Sequence, residues 1–517
     1  MTDHAARPAS GLGFDPADRG LLSPVWASPD VAGETGDAAI VAAMLELEAA
    51  WAETLESAGL VEDGAGAAVR AVVRAVVGAQ ATDDGGVAAQ VGSAPSSVVE
   101  PRATTAFDAG RLANAAQGGG NPVIPLVKAL RAAVPDGPGR AAVHRGLTSQ
   151  DVLDSALMLT ARRASVRIHA DLAAAADALA DLAAQHRTTP QVARTLAQHS
   201  LPSSFGLKAA NWLQGVAHAE RSVAALAFPV QCGGAAGTNA SLVALGAEPH
   251  ALAADWAHRA GLDAAVAPWQ SFRGPVADLG HALAAVCSAA GHVANDVLLL
   301  SRPEIGELGE PVADGRGVSS AMPQKQNPAL SALIRSAALR APADAMQLEL
   351  AAALSEDERT GGAWHTEWPA LRELLRLAAG SAAALRELAA GLRVFPDRMR
   401  ANLELSGPLL VSERIMLELS DVAEGGRAGI QKAVDAALAA SAAGPAEQAR
   451  VLRKELRAVV REGEGARDAN AGYGSAEDLE ARLDDLLDPA RYQGDAAGIV
   501  DRILKNYEES GARRRRA

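Results

Sequence analysis

The sequence of 517 residues predicts an all-α protein. Three observations support this fold class. Alanine dominates the composition, aromatic residues make up only 3%, and runs of alternating apolar and polar residues are nearly absent. Alanine is the best helix former, whereas β-branched and aromatic residues favour strands. We therefore expect long helices joined by short breaks.

Apolar periodicity locates the helices along the chain. Between residues 166 and 186, isoleucine and leucine recur at intervals of four, seven and three, with three aspartates between them. This spacing places the apolar side chains on one face of a helix. Comparable patterns predict helices over residues 38–59, 166–186, 207–227, 276–302, 330–354, 369–392 and 429–440. Alanine-rich faces allow helices to approach closely, so we expect a long-helix bundle and an oligomer.

Clusters of Gly, Pro and Ser interrupt these patterns and suggest three domains. The breaks lie at residues 118–122, 135–139, 233–237, 312–328 and 463–474. We expect an N-terminal helical domain over 1–125, a central long-helix bundle domain over 126–395, and a C-terminal helical domain over 396–517 that ends in a basic tail. The glycines of 233–237 predict a turn that needs bare backbone, because no Gly-Lys-Ser/Thr follows them.

The composition excludes several classes of function. The net charge of -14 argues against nucleic acid as a partner, because that affinity comes mainly from Lys and Arg. The basic run 513–516 is interpreted as a solvated end. Two cysteines cannot build a disulfide framework, and the opening residues lack the pattern of a signal peptide. No continuous apolar run approaches the roughly 18 residues of a membrane span. We expect a cytoplasmic protein without a membrane partner.

The most informative segment is a polar stretch between two helical ones. It reads Arg316-Gly-Val-Ser-Ser-Ala-Met-Pro-Gln-Lys-Gln-Asn-Pro328 and is called the serine loop below. Ser319, Ser320, Lys325 and Asn327 are groups that can abstract a proton and hold a carboxylate. The sequence therefore predicts a functional loop here rather than an ordinary connection.

A second polar segment, His144-Arg-Gly-Leu-Thr-Ser-Gln-Asp-Val-Leu-Asp154, leads into an apolar-periodic stretch. Thr148 and Ser149 offer two hydroxyls and backbone N–H groups at that point. A helix N-terminus of this kind suits a carboxylate. Taken alone, the segment also fits an N-cap that binds no ligand.

These motifs carry a family resemblance. The serine loop resembles the signature loop of the fumarase/aspartase superfamily, and the segment 144–154 resembles its His-x-Gly-x-Thr-Ser-x-Asp segment. A third segment, Arg194-Thr-Leu-Ala-Gln-His-Ser-Leu-Pro202, resembles the Arg-Thr-His-x-Gln stretch of lyases in that superfamily. The stretches 231–238, 355–369, 394–405 and 487–492 are similar to the bacterial 3-carboxy-cis,cis-muconate cycloisomerase branch. Together the resemblance covers about residues 20–505.

The resemblance implies an all-α, fumarase/aspartase-like homotetramer with a central long-helix bundle that tetramerises and active sites shared between subunits. It implies a small dicarboxylate substrate and no organic cofactor. No metal-ligand spacing is visible among the 11 His and two Cys. The implied catalytic residues are Ser319 as the base, Ser320 as the fallback, and Lys325. The implied substrate-binding residues are His144, Arg145, Thr148, Ser149, Arg194, Gln198, Gln324, Gln326 and Asn327.

Departures from the family pattern bear on the substrate. The serine loop has Gln324 and Gln326 where the cycloisomerase branch commonly has His and Arg, and Leu196 stands where many relatives have a histidine acid. Neutral amides suit an elimination whose leaving group departs without an acid, as nitrite would from nitrosuccinate. Arg145, Arg194 and Arg359 could supply the charge that a tricarboxylate needs.

Four functions therefore remain open from the sequence. The first is a fumarate-releasing lyase of the nitrosuccinate type, and the second is a lactone-forming cycloisomerase. The third is a lyase of the adenylosuccinate or argininosuccinate type. The fourth, a catalytically inactive structural relative, predicts a disrupted serine loop, whereas all four key side chains are present. Whether His144 acts on the substrate or only bonds a neighbouring subunit also stays open.

Overall fold

The computed structural model describes residues 20–83, 105–460 and 476–510, and the basic run 513–516 and the break at 463–474 lie outside them. The described residues are mostly helical, which confirms the predicted fold class. The α-helices span Pro29–Thr35, Asp37–Ser57, Ala65–Asp83, Ala109–Ala116, Val123–Ala133, Pro138–Ala142, Ser149–Gln185, Phe205–Ala224, Ala240–Ala244, Pro249–Ala260, Gly274–Leu300, Ala329–Ala353, Ala363–Ala390, Pro396–Glu404, Ser412–Leu419, Gly426–Ala439, Pro445–Val459, Ala476–Leu487 and Ala496–Glu509. Short 3₁₀ helices span Pro24–Trp26, Thr105–Phe107, Gly407–Val411, Ser441–Ala443 and Pro489–Arg491.

Two predicted helix starts are wrong, each for a physical reason. The helix predicted from residue 166 begins at Ser149 and runs for 37 residues. Its first part buries polar side chains such as Gln150, Asp154 and Ser155, so the apolar periodicity is lost there. The helix predicted from Pro369 begins at Ala363, with that proline inside it. Proline usually marks the first turn of a helix, which explains the error.

Contacts divide the chain into two compact units. The first comprises Met1–Ala170, Arg221–Ser288 and Ser336–Ala383, and the second comprises Asp171–Glu220, Ala289–Arg335 and Ala384–Ala517. The boundaries fall within long helices, so the units are not consecutive stretches of sequence. The division into domains at 1–125, 126–395 and 396–517 stays a prediction.

Each unit has its own buried side chains. In the first unit, Trp51 and Trp256 are fully buried, and their rings meet edge to face at 5.1 Å. Trp364 and Trp368, in the same unit, also meet edge to face, at 4.7 Å. In the second unit, the C-terminal helices bury a cluster that includes Ile415, Ile430, Leu452, Leu456 and Leu483. Burial of such apolar surface is the main force that stabilises each unit.

The helix Gly274–Leu300 passes a length-and-composition test for a membrane span, alone among the helices of the described ranges. Its mean hydropathy is 1.5 over the tested window, and half of that window is buried inside the protein. A buried helix of a protein core has the same length and composition, and Asp278 and Asp296 interrupt its apolar sequence.

Two small antiparallel strand pairs were not predicted. Pro190–Thr195 pairs with Gln198–Ser204, and Leu308–Gly309 pairs with Arg393–Val394. The first pair is joined by Leu196 and Ala197, which adopt φ of 50° and 64°. Two-residue hairpin turns of this shape usually contain Asn or Gly, so the sequence carried no signal for the hairpin.

Replacing Ala197 by glycine is expected to stabilise this hairpin by about 0.5–1 kcal/mol, because glycine adopts a positive φ without the steric clash of a Cβ. We expect a slightly higher thermal unfolding midpoint. The control is Ala332→Gly, on an exposed position of the helix Ala329–Ala353, which should lower the midpoint because glycine weakens helices. A lower midpoint for Ala197→Gly would contradict the turn geometry.

Candidate active site

The serine loop is anchored at both ends within the second unit. At its end, the nearly buried Glu310 accepts the backbone N–H groups of Leu330 and Ser331 at 3.1 and 2.6 Å, which caps the helix that follows. Near its start, Arg316 forms an ion pair with Glu387. Carboxylates at a helix N-terminus satisfy otherwise unpaired N–H groups. These contacts fix the positions of the two ends of the serine loop.

Between its anchors, backbone contacts join the two sides of the loop and close it. Val318 and Gln326 form an antiparallel bridge, and the N–H of Asn327 donates to the carbonyl of Gly317 at 2.9 Å. Gly317 has φ of 68°, and a Cβ there would lie 2.5 Å from the carbonyl oxygen of Asn327. Only glycine fits this position, so the closure depends on it.

The two serines of the loop differ in their surroundings. The hydroxyl oxygen of the half-buried Ser319 accepts the backbone N–H groups of Met322 at 3.1 Å and Ala321 at 3.4 Å. Ser320 is exposed, and the part of the chain that the structure describes offers its hydroxyl no such pair of donors. Donors aimed at an oxygen stabilise negative charge on it. The geometry therefore favours an ionised Ser319 over an ionised Ser320.

The remaining polar side chains of the serine loop face solvent. Gln324, Lys325 and Gln326 are exposed, and Asn327 is half-buried. The backbone N–H of Lys325 donates to the carbonyl of Met322 at 3.0 Å, which folds a turn around the tip. The loop thus carries two serines, a cation and three amides on one short exposed segment, a set suited to a carboxylate substrate.

The second predicted segment forms a helix N-terminus in the first unit. Ser149 is the first residue of the 37-residue helix, and the fully buried Asp151 accepts the N–H of Thr148 at 2.9 Å. Asp151 also accepts the N–H groups of Gly233 and Gly234 at 2.8 and 3.0 Å. Burial raises the pKa of Asp151 to about 6, although these N–H groups and His144 act in the opposite direction.

An exposed arginine reaches the same helix start. A guanidinium nitrogen of Arg359 donates to the hydroxyl of Thr148 at 2.7 Å. Because the helix start also offers the hydroxyl of Ser149 and the positive end of the helix dipole, the arrangement has the donors and the charge that an anion requires. The Gly233–Gly237 turn beside it is bare, as predicted, since a Cβ at Gly233 would lie 2.2 Å from the side-chain oxygen of Gln270.

His144 and Arg145, which precede this helix start, are held by contacts with the helix Asp37–Ser57 and with Leu60 beyond its end. Glu48 accepts both the backbone N–H of His144, at 2.8 Å, and its ring nitrogen Nδ1, at 2.6 Å. The indole of Trp51 donates to the carbonyl of Arg145, whose guanidinium donates to the carbonyl of Leu60. The cationic end of Arg145 is therefore bonded to the protein backbone.

The third segment forms the unpredicted hairpin of the second unit. Arg194 pairs with the fully buried Glu307, at 2.5 Å between the nearest N and O atoms, and Gln191 and Asn402 donate to the same carboxylate.

Gln198 is exposed next to the turn of this hairpin. His199 contacts the hydroxyl of Ser406, and burial lowers the pKa of that histidine. The Arg194 guanidinium is shared with Glu307, whereas the Gln198 amide is free to reach a ligand.

The structure thus distributes the predicted residues over three segments. Ser319 to Asn327 share the serine loop, His144 to Ser149 share the helix start in the first unit, and Arg194 and Gln198 share the hairpin. Sequence reasoning missed the carboxylates that hold these segments, Glu48, Asp151 and Glu307. Asp151 is the aspartate of the His-x-Gly-x-Thr-Ser-x-Asp segment, and its contact with Thr148 could have been predicted, because an acidic residue three positions after Thr148 is a capping-box signal.

A survey of the described residues finds no group of three or more His, Cys, Asp or Glu side chains placed to hold a metal ion. The two cysteines, Cys232 and Cys287, are buried and unpaired with each other. Burial raises the pKa of the Cys287 thiol to about 12. Both thiols are therefore protonated near neutral pH and are poor nucleophiles.

Comparison with known proteins connects the loop and the fold to a family. A family model described as "Lyase" matches residues 136–342. The chain is 44% identical, over 94% of both chains, to a nitrosuccinate lyase of Streptomyces davaonensis. It is 38% identical to a 3-carboxy-cis,cis-muconate cycloisomerase of Bradyrhizobium diazoefficiens, over 81% of this chain and 90% of the relative.

A solved structure agrees with these relatives. The 3-carboxy-cis,cis-muconate lactonizing enzyme of Pseudomonas putida is 31% identical and superimposes with a TM-score of 0.77, covering 95% of this chain and 99% of that one. The mostly helical architecture, the serine loop and near-complete coverage of its relatives lead to one conclusion: the chain belongs to the fumarase/aspartase superfamily and is an enzyme of the lyase class.

Proposed function

We propose that this enzyme releases fumarate from a substituted succinate by β-elimination and that its substrate is nitrosuccinate. The observation that carries the proposal is the hydroxyl oxygen of Ser319, which accepts two backbone N–H groups on an exposed loop rich in amides. An alkoxide formed there is a base strong enough to remove a proton next to a carboxylate.

In the proposed reaction, Ser319 takes the proton from the carbon beside one carboxylate. Lys325 and Asn327 hold that carboxylate and stabilise the negative charge that develops on it. The electron pair of the broken C–H bond forms the C=C bond of fumarate, and the C–N bond breaks with its electrons going to nitrite. Ser320 is the fallback base. The chain's own side chains suffice, so we propose no cofactor.

The second carboxylate is assigned to the helix start and the hairpin. Thr148, Ser149 and Gln198 donate hydrogen bonds to it, and Arg359 adds a positive charge beside Thr148.

Three further residues remain candidate contacts. His144 lies just before this helix start. The guanidinium groups of Arg145 and Arg194 are bonded to Leu60 and Glu307. Gln324 and Gln326 are assigned to the nitro oxygens of the substrate.

We further propose a cytoplasmic homotetramer. In it, the serine loop, the helix start and the hairpin that meet at one active site come from different copies of the chain. Sharing sites between copies explains how segments so distant in sequence act on one small substrate. The tetramer is testable by the mass of the purified enzyme in solution.

Two observations favour nitrosuccinate over the cycloisomerase substrate. The relative with 44% identity is a nitrosuccinate lyase, whereas the cycloisomerase relatives reported above are less similar. Gln324 and Gln326 are neutral, which suits a nitro group better than a third carboxylate. Leu196, apolar and fully exposed at the hairpin tip, is compatible with nitrite leaving without a proton donor, but it does not discriminate, because members of the cycloisomerase branch also lack a histidine there. The cycloisomerase reaction is the second candidate, because members of that branch share the fold.

Proton NMR of the purified enzyme with both substrates in one tube decides between these reactions. Nitrosuccinate and 3-carboxy-cis,cis-muconate have separate olefinic product signals. Growth of the fumarate signal while the muconate persists supports the lyase. Loss of the muconate to a lactone without fumarate contradicts it and supports the cycloisomerase.

Replacing Arg359 by alanine is expected to raise KM for the substrate about tenfold with a smaller effect on kcat. The guanidinium beside Thr148 would contact a carboxylate that is equally charged in the ground state and the transition state. Steady-state kinetics measures both constants. Arg259→Ala is the matched control, because Arg259 is an exposed arginine of the same unit whose carboxylate partner is Asp255. An unchanged KM in Arg359→Ala would remove Arg359 from the site.

A further inference from the structure

Glu48 bonds both the backbone and the ring of His144. Both oxygens of Glu48 are used, one by the backbone N–H of His144 at 2.8 Å and one by its Nδ1 at 2.6 Å. Glu48 is fully buried, whereas the His144 ring is 15% exposed. A carboxylate on one ring nitrogen fixes the orientation of an imidazole and leaves the other nitrogen as the outward-facing donor.

The backbone at His144 is also constrained. Its φ is 57°, in the left-handed region that non-glycine residues adopt only in a few per cent of cases, although Asn, Asp and His do so more often than others. Such conformations cost about 1–3 kcal/mol and persist only where surrounding contacts enforce them. One helical turn beyond Glu48, Trp51 donates to the carbonyl of Arg145 at 2.9 Å. A single helix face therefore holds residues 144–145 in this conformation.

Three charged groups from three helices act on the ring. Glu48 lies on Asp37–Ser57, Asp151 on Ser149–Gln185 and Arg131 on Val123–Ala133. Burial lowers the pKa of His144, but the charge and hydrogen bond of Glu48, together with Asp151, outweigh burial and Arg131, so the pKa is raised. The ring is therefore charged over a wider range of pH than an ordinary histidine, and its Nε2–H has no hydrogen-bond acceptor within the described ranges.

We propose that Glu48 is a positioning residue that holds His144 as an imidazolium with Nε2–H directed to the substrate carboxylate at the Thr148–Ser149 helix start. The inference rests on the proposed function for the identity of that carboxylate. It adds a role for Glu48, which contacts no substrate itself, and it makes His144 the second cation of the helix start beside Arg359. The pairing with Glu48 favours the charged form of His144.

The titration of His144 tests the proposal without any turnover. In protein labelled at the histidine Cε1, the signal of His144 is assigned by its loss in His144→Gln. We expect this signal to titrate above the ordinary pKa of about 6.5 in the wild type and at least one pH unit lower in Glu48→Gln. Addition of succinate should shift the wild-type signal. An unchanged titration in Glu48→Gln overturns the proposal.

The pH profile of kcat/KM with nitrosuccinate separates positioning from mere structural support. We expect the basic limb of the profile to move to lower pH in Glu48→Gln, by the same amount as the NMR titration. The loss of kcat/KM would approach about tenfold at pH above both titration points and would be smaller at lower pH. An equal loss at every pH would mean that Glu48 only supports the fold, and it would overturn the proposal.

Two further variants keep the test decisive. Glu46→Gln is the matched control, because Glu46 lies on the same helix and pairs with Arg163 instead. In this variant neither the NMR titration of His144 nor the pH profile of kcat/KM should shift. Glu48→Asp keeps the charge and should restore most of the wild-type titration. If Glu48→Gln does not fold, the response of the wild-type His144 signal to succinate decides, and a signal that does not shift overturns the proposal. If the wild type forms no fumarate from nitrosuccinate, the proposed function fails, while the His144 titration and the succinate shift still decide the role of Glu48.

Discussion

Replacement of Ser319 by alanine is expected to lower kcat for fumarate formation by about a thousandfold or more while leaving the proposed tetramer intact. The reason is the loss of the base, whose contribution in enzymes is commonly 10²- to 10⁴-fold. The hydroxyl of Ser319 accepts the N–H groups of Ala321 and Met322, which stabilise its ionised form. Fumarate release followed by ultraviolet absorbance or NMR measures the effect.

Ser320→Ala is the matched control for this experiment. It removes the same group from the neighbouring residue, which is exposed and lies outside the two N–H contacts. We expect a loss of tenfold or less. A larger loss for Ser320→Ala than for Ser319→Ala would transfer the role of base to Ser320, and full activity in both variants would refute a serine base.

Replacement of Arg273 by methionine is expected to give the largest loss of stability. Arg273, Asp154 and Glu367 are each almost fully buried, with N–O distances of 2.8 Å to Asp154 and 2.6 Å to Glu367. The indole of Trp364 donates to Asp154 at 2.7 Å. Removing the only guanidinium of this group leaves two buried carboxylates uncompensated, and breaking even one buried ion pair costs about 3–5 kcal/mol.

The thermal unfolding midpoint measures this loss, and its pH dependence has a defined sign. Burial already raises the pKa of Glu367, against the effect of Arg273, and without Arg273 the pKa of Glu367 should rise further. The folded variant then binds more protons than the unfolded chain, so its stability should increase as the pH falls towards the ordinary carboxyl range.

Arg163→Met is the matched control for the buried cluster. The ion pair of Arg163 with Glu46 is largely exposed, and exposed pairs contribute about 0–1 kcal/mol. A similar drop in midpoint for both variants would contradict the special role of burial. A variant of Arg273 that does not accumulate as soluble protein, beside a normal Arg163→Met, would agree with the prediction.

Much of the fold and of the candidate site could be predicted from the sequence. Helices such as Asp37–Ser57 and Gly274–Leu300 were predicted to within about two residues, because their apolar side chains repeat with the helical period. The serine loop could be predicted as a functional segment because its combination of serines, lysine and asparagine is seldom needed for an ordinary connection between helices. Its motif also identified the superfamily, which the comparisons confirm.

Other features were decided only by the tertiary structure. The hairpin at 190–204 has no turn signal, because Leu196 and Ala197 adopt positive φ against their own preference. The family resemblance named Ser319 ahead of Ser320, but only the tertiary structure shows that the backbone N–H groups of Ala321 and Met322 reach the hydroxyl of Ser319. The sequence also could not pair Glu48 with His144, which are 96 residues apart. Periodicity and motifs report on neighbours along the chain, whereas the partner of a buried charge is set by which distant segments pack together.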